Sequence, residues 1–216
     1  MNAMEYAKWF IKAGYDTPRN TLEGNMKLQK LLYFAQLIHL AKYDKVLFDD
    51  PIYAFEHGSV VEDVRLEYKN NCLDLVTDAD LITYDFTEEE MDTLNLTIAI
   101  YGDASAEELS EINHFHRSWE KAFKKSNFGS FRFKELAKIS IDDIKKYDLD
   151  RIKQVIEAFE TADNNDECYE VNGVKFYYNP DEIKLDDKLK NRLKMFPATE
   201  KSYTIYCDES QGIIIY

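Results

Sequence analysis

The chain has 216 residues, 45% of them hydrophobic and 14% aromatic, which is enough for a substantial core. Seven Gly and four Pro are too few for a disordered chain or a turn-rich all-β protein. No run approaches the ~20 apolar residues that span a bilayer, and no basic region precedes a long apolar one at the N-terminus. We therefore expect a folded cytoplasmic protein whose three widely spaced Cys are reduced.

The formal net charge of -14 is unevenly distributed. Residues 72–116 contain twelve acidic residues and no Lys or Arg, whereas residues 117–138 contain seven basic residues and two acids. Such an acidic segment is either a set of solvated helix faces or a surface that attracts a basic partner. The acidity argues against general nucleic-acid binding, which needs a net basic surface.

Apolar residues at helical spacing predict a first helix over residues 3–13. The next predicted helix, over residues 25–45 with Asn25 as its cap, is apolar around most of its circumference. Its polar residues form one narrow stripe: Gln29, Tyr33 and Gln36. A helix that is apolar nearly all round is buried among other helices, so we predict that this is the central helix of the domain.

Three capping boxes predict the starts of further helices. They are Ser59 with Glu62, Thr87 with Glu90, and Ser105 with Glu108. Before the first box, "PIYAF" at residues 51–55 is typical of extended chain, and Gly58 predicts a turn. A helix containing Ile152 and Phe159 closes this part of the chain. These patterns predict a mainly α fold.

The composition changes near residues 161–166, and the following pattern is different. Asn172-Gly173 between alternating residues predicts a β-hairpin, and a second hairpin is predicted over residues 202–216 with its turn near Gly212. A short helix lies between them. We predict a compact multi-helix domain around a buried central helix at residues 1–162, and a small C-terminal α+β hairpin extension at residues 163–216.

The chain has no G-x-S-x-G, P-loop or G-x-G-x-x-G motif, and we expect no cofactor and no catalytic residue. A metal-dependent hydrolase that uses His114, His116 and Glu111 is an alternative reading. Their spacing matches no ligand motif, and a further ligand would have to be His57 or Glu56. We favour His114 as a hydrogen-bonded histidine beside Trp119. His39 on the central helix is expected to make a buried or half-buried polar contact.

Three stretches suggest a family. They are "MKLQKLLYFAQ" at residues 26–36, "PIYAFEHGSVVEDVRLEYK" at residues 51–69 and "LSEINHFHRSW" at residues 109–119. In this order and spacing they resemble the Panacea domain, a SocA-like antitoxin domain also known from phage-associated GepA-type proteins. The resemblance covers residues 1–160. Ser59 stands where the family usually has Pro.

The resemblance implies a compact helical antitoxin of the kind found on bacterial chromosomes, prophages and phages. Members neutralise a toxin encoded beside them by binding it directly. One SocA-type member is instead an adaptor that delivers its toxin to a protease. For this chain the resemblance implies a non-enzymatic protein whose partner is a cognate toxin encoded nearby, with no role for a membrane. The oligomeric state stays open.

Partner-binding candidates are the motif and surface residues that we expect to be exposed. In the motifs they are Lys27, Lys30, Glu56 and His57. In the acidic segment they are Glu88, Glu89, Glu107 and Glu108. In the extension, which has more tyrosines than two short hairpins can bury, they are Tyr177 and Tyr206. By contrast, we expect core positions at Leu28, Leu31, Leu32, Phe34 and Trp119, and internal polar contacts at Gln29, Tyr33 and His114.

Overall fold

The computed structural model describes residues 2–128, 131–163, 167–208 and 212–215. Contacts between residues divide the chain into two compact units, Met1–Ile156 and Glu157–Tyr216. The division lies a few residues before the boundary that the sequence predicts after residue 162. As predicted, a mainly α-helical body precedes a small C-terminal sheet.

The first unit is built mostly from helices. They are α1 (Ala3–Lys12), α2 (Leu22–Tyr43), α3 (Glu62–Leu81), α4 (Glu88–Tyr101), α5 (Ala106–His114), α6 (Arg117–Ser126), α7 (Ile141–Tyr147) and the first half of α8 (Leu149–Asp163). Two short antiparallel pairs accompany them: β1 (Ile52–Phe55) with β2 (Gly58–Val61), and β3 (Asn127–Phe128) with β4 (Phe131–Arg132). A 3₁₀ turn at Lys134–Ala137 follows β4.

Helix α2 is the buried central helix that the sequence predicts. From Gly24 to Leu40 every residue is buried except Met26. The predicted Asn25 cap is wrong, because Thr21 accepts a hydrogen bond from Gly24 N at 3.0 Å and starts the helix earlier. Asn25 instead lies inside the helix and donates to Arg65 O at 3.0 Å.

The polar stripe of α2 bonds to the chain around it. Gln36 Oε1 accepts from the backbone amides of Leu47 and Phe48 at 2.8 and 3.1 Å, and Gln36 Nε2 donates to Phe48 O at 3.1 Å. A buried amide side chain with such partners carries little desolvation cost. Gln36 is therefore polar because it holds the loop that follows α2, and not because it faces solvent.

Two of the three predicted capping boxes are confirmed. Thr87 with Glu90 starts α4, and Ser105 with Glu108 starts α5. The box at Ser59 is wrong: Ser59 lies in β2, and α3 starts at Glu62 without a side-chain cap. The reason is that other side chains bond the backbone of Ser59 on both sides and keep it extended.

The second unit contains a four-stranded sheet in the order β5-β6-β7-β8. The strands are β5 (Glu167–Val171), β6 (Val174–Tyr178), β7 (Ser202–Asp208) and β8 (Gly212–Ile215), and α9 (Asp187–Lys194) connects β6 to β7. Asn172 and Gly173 turn the first hairpin with positive φ angles of 54° and 77°. The turn predicted between β7 and β8 falls on residues 209–211, outside the described residues.

The pairing of β6 with β7 is parallel, which the sequence analysis did not predict. A parallel pair needs a crossover, and α9 supplies it. The buried leucines of α9 pack into the hydrophobic core of the second unit. This core contains Phe176, Tyr178, Ile183, Leu189, Leu193 and Ile205. In the described part of the chain, no helix is long and apolar enough to cross a membrane.

We predict that residues 1–162 fold without the C-terminal extension, because each unit has its own buried core. A chain ending at residue 162 should keep helical circular dichroism and one cooperative thermal transition. A molten or insoluble product, with full-length protein folding normally under the same conditions, would contradict this.

Candidate partner-binding site

The hairpin β1–β2 is held by side chains of the helices around it. Trp119 Nε1 of α6 donates to Phe55 O at 3.1 Å. On α5, His114 Nε2 bonds to Glu56 O at 3.0 Å and Ser110 Oγ donates to His57 O at 2.9 Å. A carbonyl can only accept, so the Nε2 of His114 carries the proton in this arrangement.

The second strand of the hairpin is bonded in the same way. Asn113 Oδ1 of α5 accepts from Ser59 N, and Lys30 Nζ of α2 donates to Ser59 O at 3.0 Å. Gln29 Oε1 of α2 accepts from Val61 N at 2.9 Å. The three sequence motifs therefore meet at one place, where the first and third supply the side chains and the second supplies the backbone. We call these six side-chain-to-backbone bonds the hairpin clamp.

Gly58 makes the clamp sterically possible. Its φ of 99° lies in a region that suits glycine. A Cβ at this position would lie 2.5 Å from Asn113 Oδ1 and 2.7 Å from Lys30 Cε. Two clamp side chains therefore occupy the space that any other residue would need.

The predicted exposure of Lys27 and Lys30 is wrong. Their exposed fractions are 8% and 1%, and Lys27 Nζ donates to Gly102 O at 2.7 Å. A lysine can be buried this way because its alkyl stem packs like an apolar residue while the ammonium bonds a backbone carbonyl. Burial lowers the pKa of the Lys30 ammonium to about 7.

The internal polar contacts predicted for Gln29 and Tyr33 are confirmed. The one predicted for His114 is not internal, because this side chain is exposed where it bonds to Glu56 O. Tyr33 OH and His116 Nδ1 are 3.0 Å apart in the core. His39 is buried, and its Nδ1 lies 2.8 Å from Thr93 Oγ1. Burial lowers the pKa of His116 to about 4, although the nearby Asp148 carboxylate acts in the opposite direction.

His114 and His116 have different surroundings. The exposed His114 ring packs beside Trp119 with centroids 4.3 Å apart, as predicted, whereas His116 is 2% exposed and faces Tyr33. Glu111 is exposed on α5. In the part of the chain that the structure describes, no three His, Cys, Asp or Glu side chains are grouped so that they could hold a metal ion.

A cleft of about 860 Å³ lies beside the clamped hairpin, within the first unit. Its walls are the start of α2, the hairpin tip, one face of α3 and residues 132–137. Apolar side chains contribute much of the lining: Leu22, Met26, Phe55, Val60, Phe133 and Ala137. This volume is within the ~300–1,000 Å³ that is usual for ligand sites.

The charge of the cleft is opposite to that of the protein. Its described lining has one acidic residue, Glu56, and five basic ones: Lys30, Arg65, Lys69, Arg132 and Lys134. Arg132 pairs with Glu56 at 3.5 Å, and Arg65 pairs at 3.5 Å with Glu62, which also contacts Lys134. Two carboxylates thus form ion pairs with three of the five basic side chains, and the other two basic side chains have no carboxylate in these pairs. The cleft therefore keeps a local excess of positive charge.

The other predicted candidates lie at several places. Glu56 and His57 are exposed at the hairpin tip and line the cleft. Glu88 and Glu107 are exposed, but Glu89 pairs with Lys45 at 2.8 Å. Glu108 is exposed as well, and its Oε2 accepts from Ser105 N at 2.7 Å in the capping box. Tyr177 and Tyr206 are 38% and 37% exposed in the second unit.

Sequence reasoning missed four basic residues of the cleft: Arg65, Lys69, Arg132 and Lys134. They come from α3, β4 and the 3₁₀ turn, and no local pattern relates these segments. A weak signal exists for two of them, because Arg132 and Lys134 fall in the basic run of residues 117–138.

The fold and site thus define a helical domain that presents a rigid hairpin beside a basic, partly apolar cleft. Residues 28–120 match the family model described as "Antitoxin SocA-like, Panacea domain". This confirms the resemblance over those residues, which include all six side chains of the hairpin clamp. Neither the curated proteins nor the solved structures compared with the chain gave a match.

We predict that Asn113→Ala destabilises the first unit by about 1–3 kcal/mol, since it leaves the buried amide of Ser59 without its acceptor. Urea denaturation would measure the change in the free energy of unfolding. Asn70→Ala on the exposed face of α3 is the matched control and should change it by less than about 0.5 kcal/mol. Equal effects of the two substitutions would contradict the clamp.

We also predict that Lys30 makes stability rise with pH. The pKa of its ammonium is about 7 in the fold, against an ordinary value of 10.5. Between these values the unfolded chain binds more protons, so the free energy of unfolding should increase by up to about 1.4 kcal/mol per pH unit. The measurement is urea denaturation at pH 7 and pH 9. Lys30→Met should remove this increase, whereas Lys69→Met, at an exposed position, should keep it.

Proposed function

We propose that this protein is an antitoxin that binds directly to a toxin encoded by the neighbouring gene. The observation that carries this proposal is the match of residues 28–120 to the Panacea antitoxin model. The matched residues are those that build the hairpin clamp and much of the cleft beside it. A surface that is held rigidly before binding loses little conformational entropy on association, which suits a tight inhibitor.

We propose further that the protein acts by binding and not by catalysis. The two histidines of the hydrolase alternative and the buried Lys30 have structural partners. Lys30 and His114 bond to hairpin carbonyls, and His116 bonds to Tyr33 in the core. These contacts account for the polar residues at these positions, so no catalytic role is needed to explain them.

Two kinds of surface in the first unit can meet the toxin. One is the acidic surface with Glu88 and Glu107, which would steer a basic partner toward the protein. The other is the cleft, whose charge favours an acidic partner segment. In the second unit, the partly exposed Tyr177 and Tyr206 are of the residue type that often anchors interfaces.

The required affinity follows from mass action. To leave one per cent of a toxin free, free antitoxin must exceed the dissociation constant about a hundredfold. At micromolar cellular concentrations, this corresponds to a Kd near ~10 nM and a binding free energy of about -11 kcal/mol. We therefore expect a complex that survives purification.

We predict that inducing the neighbouring gene alone stops growth, that inducing both genes restores it, and that the two proteins co-purify. The control is an antitoxin gene with an early stop codon, which should not restore growth. Metal content of the purified protein should be far below one equivalent.

Three outcomes would contradict this proposal. If the product of the neighbouring gene does not inhibit growth, there is no toxin for this protein to neutralise. Rescue with loss of the toxin protein and no complex would identify a protease adaptor. Near-stoichiometric zinc or iron, with activity that depends on His114 and His116, would favour the metal-dependent hydrolase.

A further inference from the structure

The cleft beside the hairpin clamp has features of a binding site that the family match does not assign. It combines apolar side chains such as Met26 and Phe55 with five basic residues, in a protein whose net charge is -14. Isolated positive charge of this kind in an acidic protein concentrates an anionic group at one place. The charge therefore indicates that a ligand of this cleft carries a negative charge.

Two of its basic side chains have unused hydrogen-bonding capacity. Lys30 Nζ has three donor hydrogens, and among the described residues its one hydrogen-bond partner is Ser59 O. The Nε of Arg65 is buried without a partner in the described part of the chain. Buried donors normally have partners, so unused donors at a cleft point to an acceptor that comes from another molecule.

We propose that the cleft binds a short segment of the partner protein that carries a carboxylate next to a large apolar side chain. The carboxylate would accept hydrogen bonds from the unused donors of Lys30 and Arg65, and the apolar side chain would lie against Met26 and Phe55. This inference rests on the proposed function, because the toxin is the partner that supplies the segment.

A protein segment fits the cleft better than a nucleic acid does. A nucleic-acid backbone brings a charge with every nucleotide, and the acidic surface outside the cleft would repel it. A segment with one or two carboxylates needs positive charge only where the cleft provides it. The apolar lining also requires an apolar side chain, which a phosphate backbone does not offer.

The test uses the full-length protein in complex with its co-purified partner. Lys69→Glu with Arg132→Glu reverses two cations at exposed or half-exposed lining positions. Lys121→Glu with Lys124→Glu is the matched control, because it makes the same change in net charge on α6, away from the cleft. Glu88→Lys with Glu107→Lys tests the acidic surface. Thermal transitions verify that each variant is folded.

We expect the cleft variant to raise Kd about 10- to 100-fold, mainly through faster dissociation, and the α6 control to change it less than threefold. Hydrogen exchange should map the bound segment on the partner to an acidic residue next to an apolar one. Replacing that acid by Lys should weaken binding to the wild type and restore part of the affinity for the cleft variant.

Equal effects of the cleft variant and the α6 control would overturn the proposal, and so would loss of binding in the acidic-surface variant alone. Self-association that the cleft variant abolishes would identify a second copy of this chain as the occupant, and an RNA bound at the cleft in place of the segment would also refute it.

If the neighbouring protein does not bind at all, the proposed function fails but the cleft can still be tested. The probe is then 8-anilinonaphthalene-1-sulfonate, an apolar anion whose fluorescence rises in apolar sites. Binding at one site that is lost in the cleft variant and kept in the α6 control supports the cleft. No binding, or equal binding by all three proteins, counts against it.

Discussion

The arrangement of the first unit depends on α2 bonding the backbone of a hairpin that could not stand alone. Strands of four residues form a marginal hairpin in water. Here Lys30 and Gln29 reach β2 from the central helix, while α5 and α6 bond the turn and β1. The same helix therefore forms the centre of the core and fixes a surface feature, and the hairpin it fixes is a wall of the cleft.

Burying so many polar groups next to α2 favours one arrangement over its alternatives. A hydrogen bond contributes about 1 kcal/mol net, but an unpaired buried group costs about 1–3 kcal/mol, so a shifted hairpin would leave several groups unpaired at once. The pairing is incomplete in the described structure, since Asn113 Nδ2 has no hydrogen-bond partner. The hairpin clamp therefore holds the hairpin by its backbone atoms more than by the side chains of the hairpin residues.

Local patterns in the sequence predict the helices well. The apolar circumference of α2 and the capping boxes at Thr87 and Ser105 need only neighbouring residues, and each is confirmed. The errors arise where a distant contact overrides a local signal. Ser59 looks like a helix cap but is held extended by Asn113, 54 residues away, and Lys30 looks exposed but bonds to Ser59. The cleft could not be predicted, because its basic residues come from four elements whose proximity only the fold determines.

The hairpin clamp also has an evolutionary consequence. Five of its six bonds end on backbone atoms of residues 55–59, so the side chains at the tip contribute little to holding the turn. Glu56 and His57 can therefore be exchanged for other residues without loosening the support beneath them. Such a turn separates the part of a protein that must stay constant from the part that can diversify. A lineage could in this way acquire new binding preferences by point mutation while its fold is maintained.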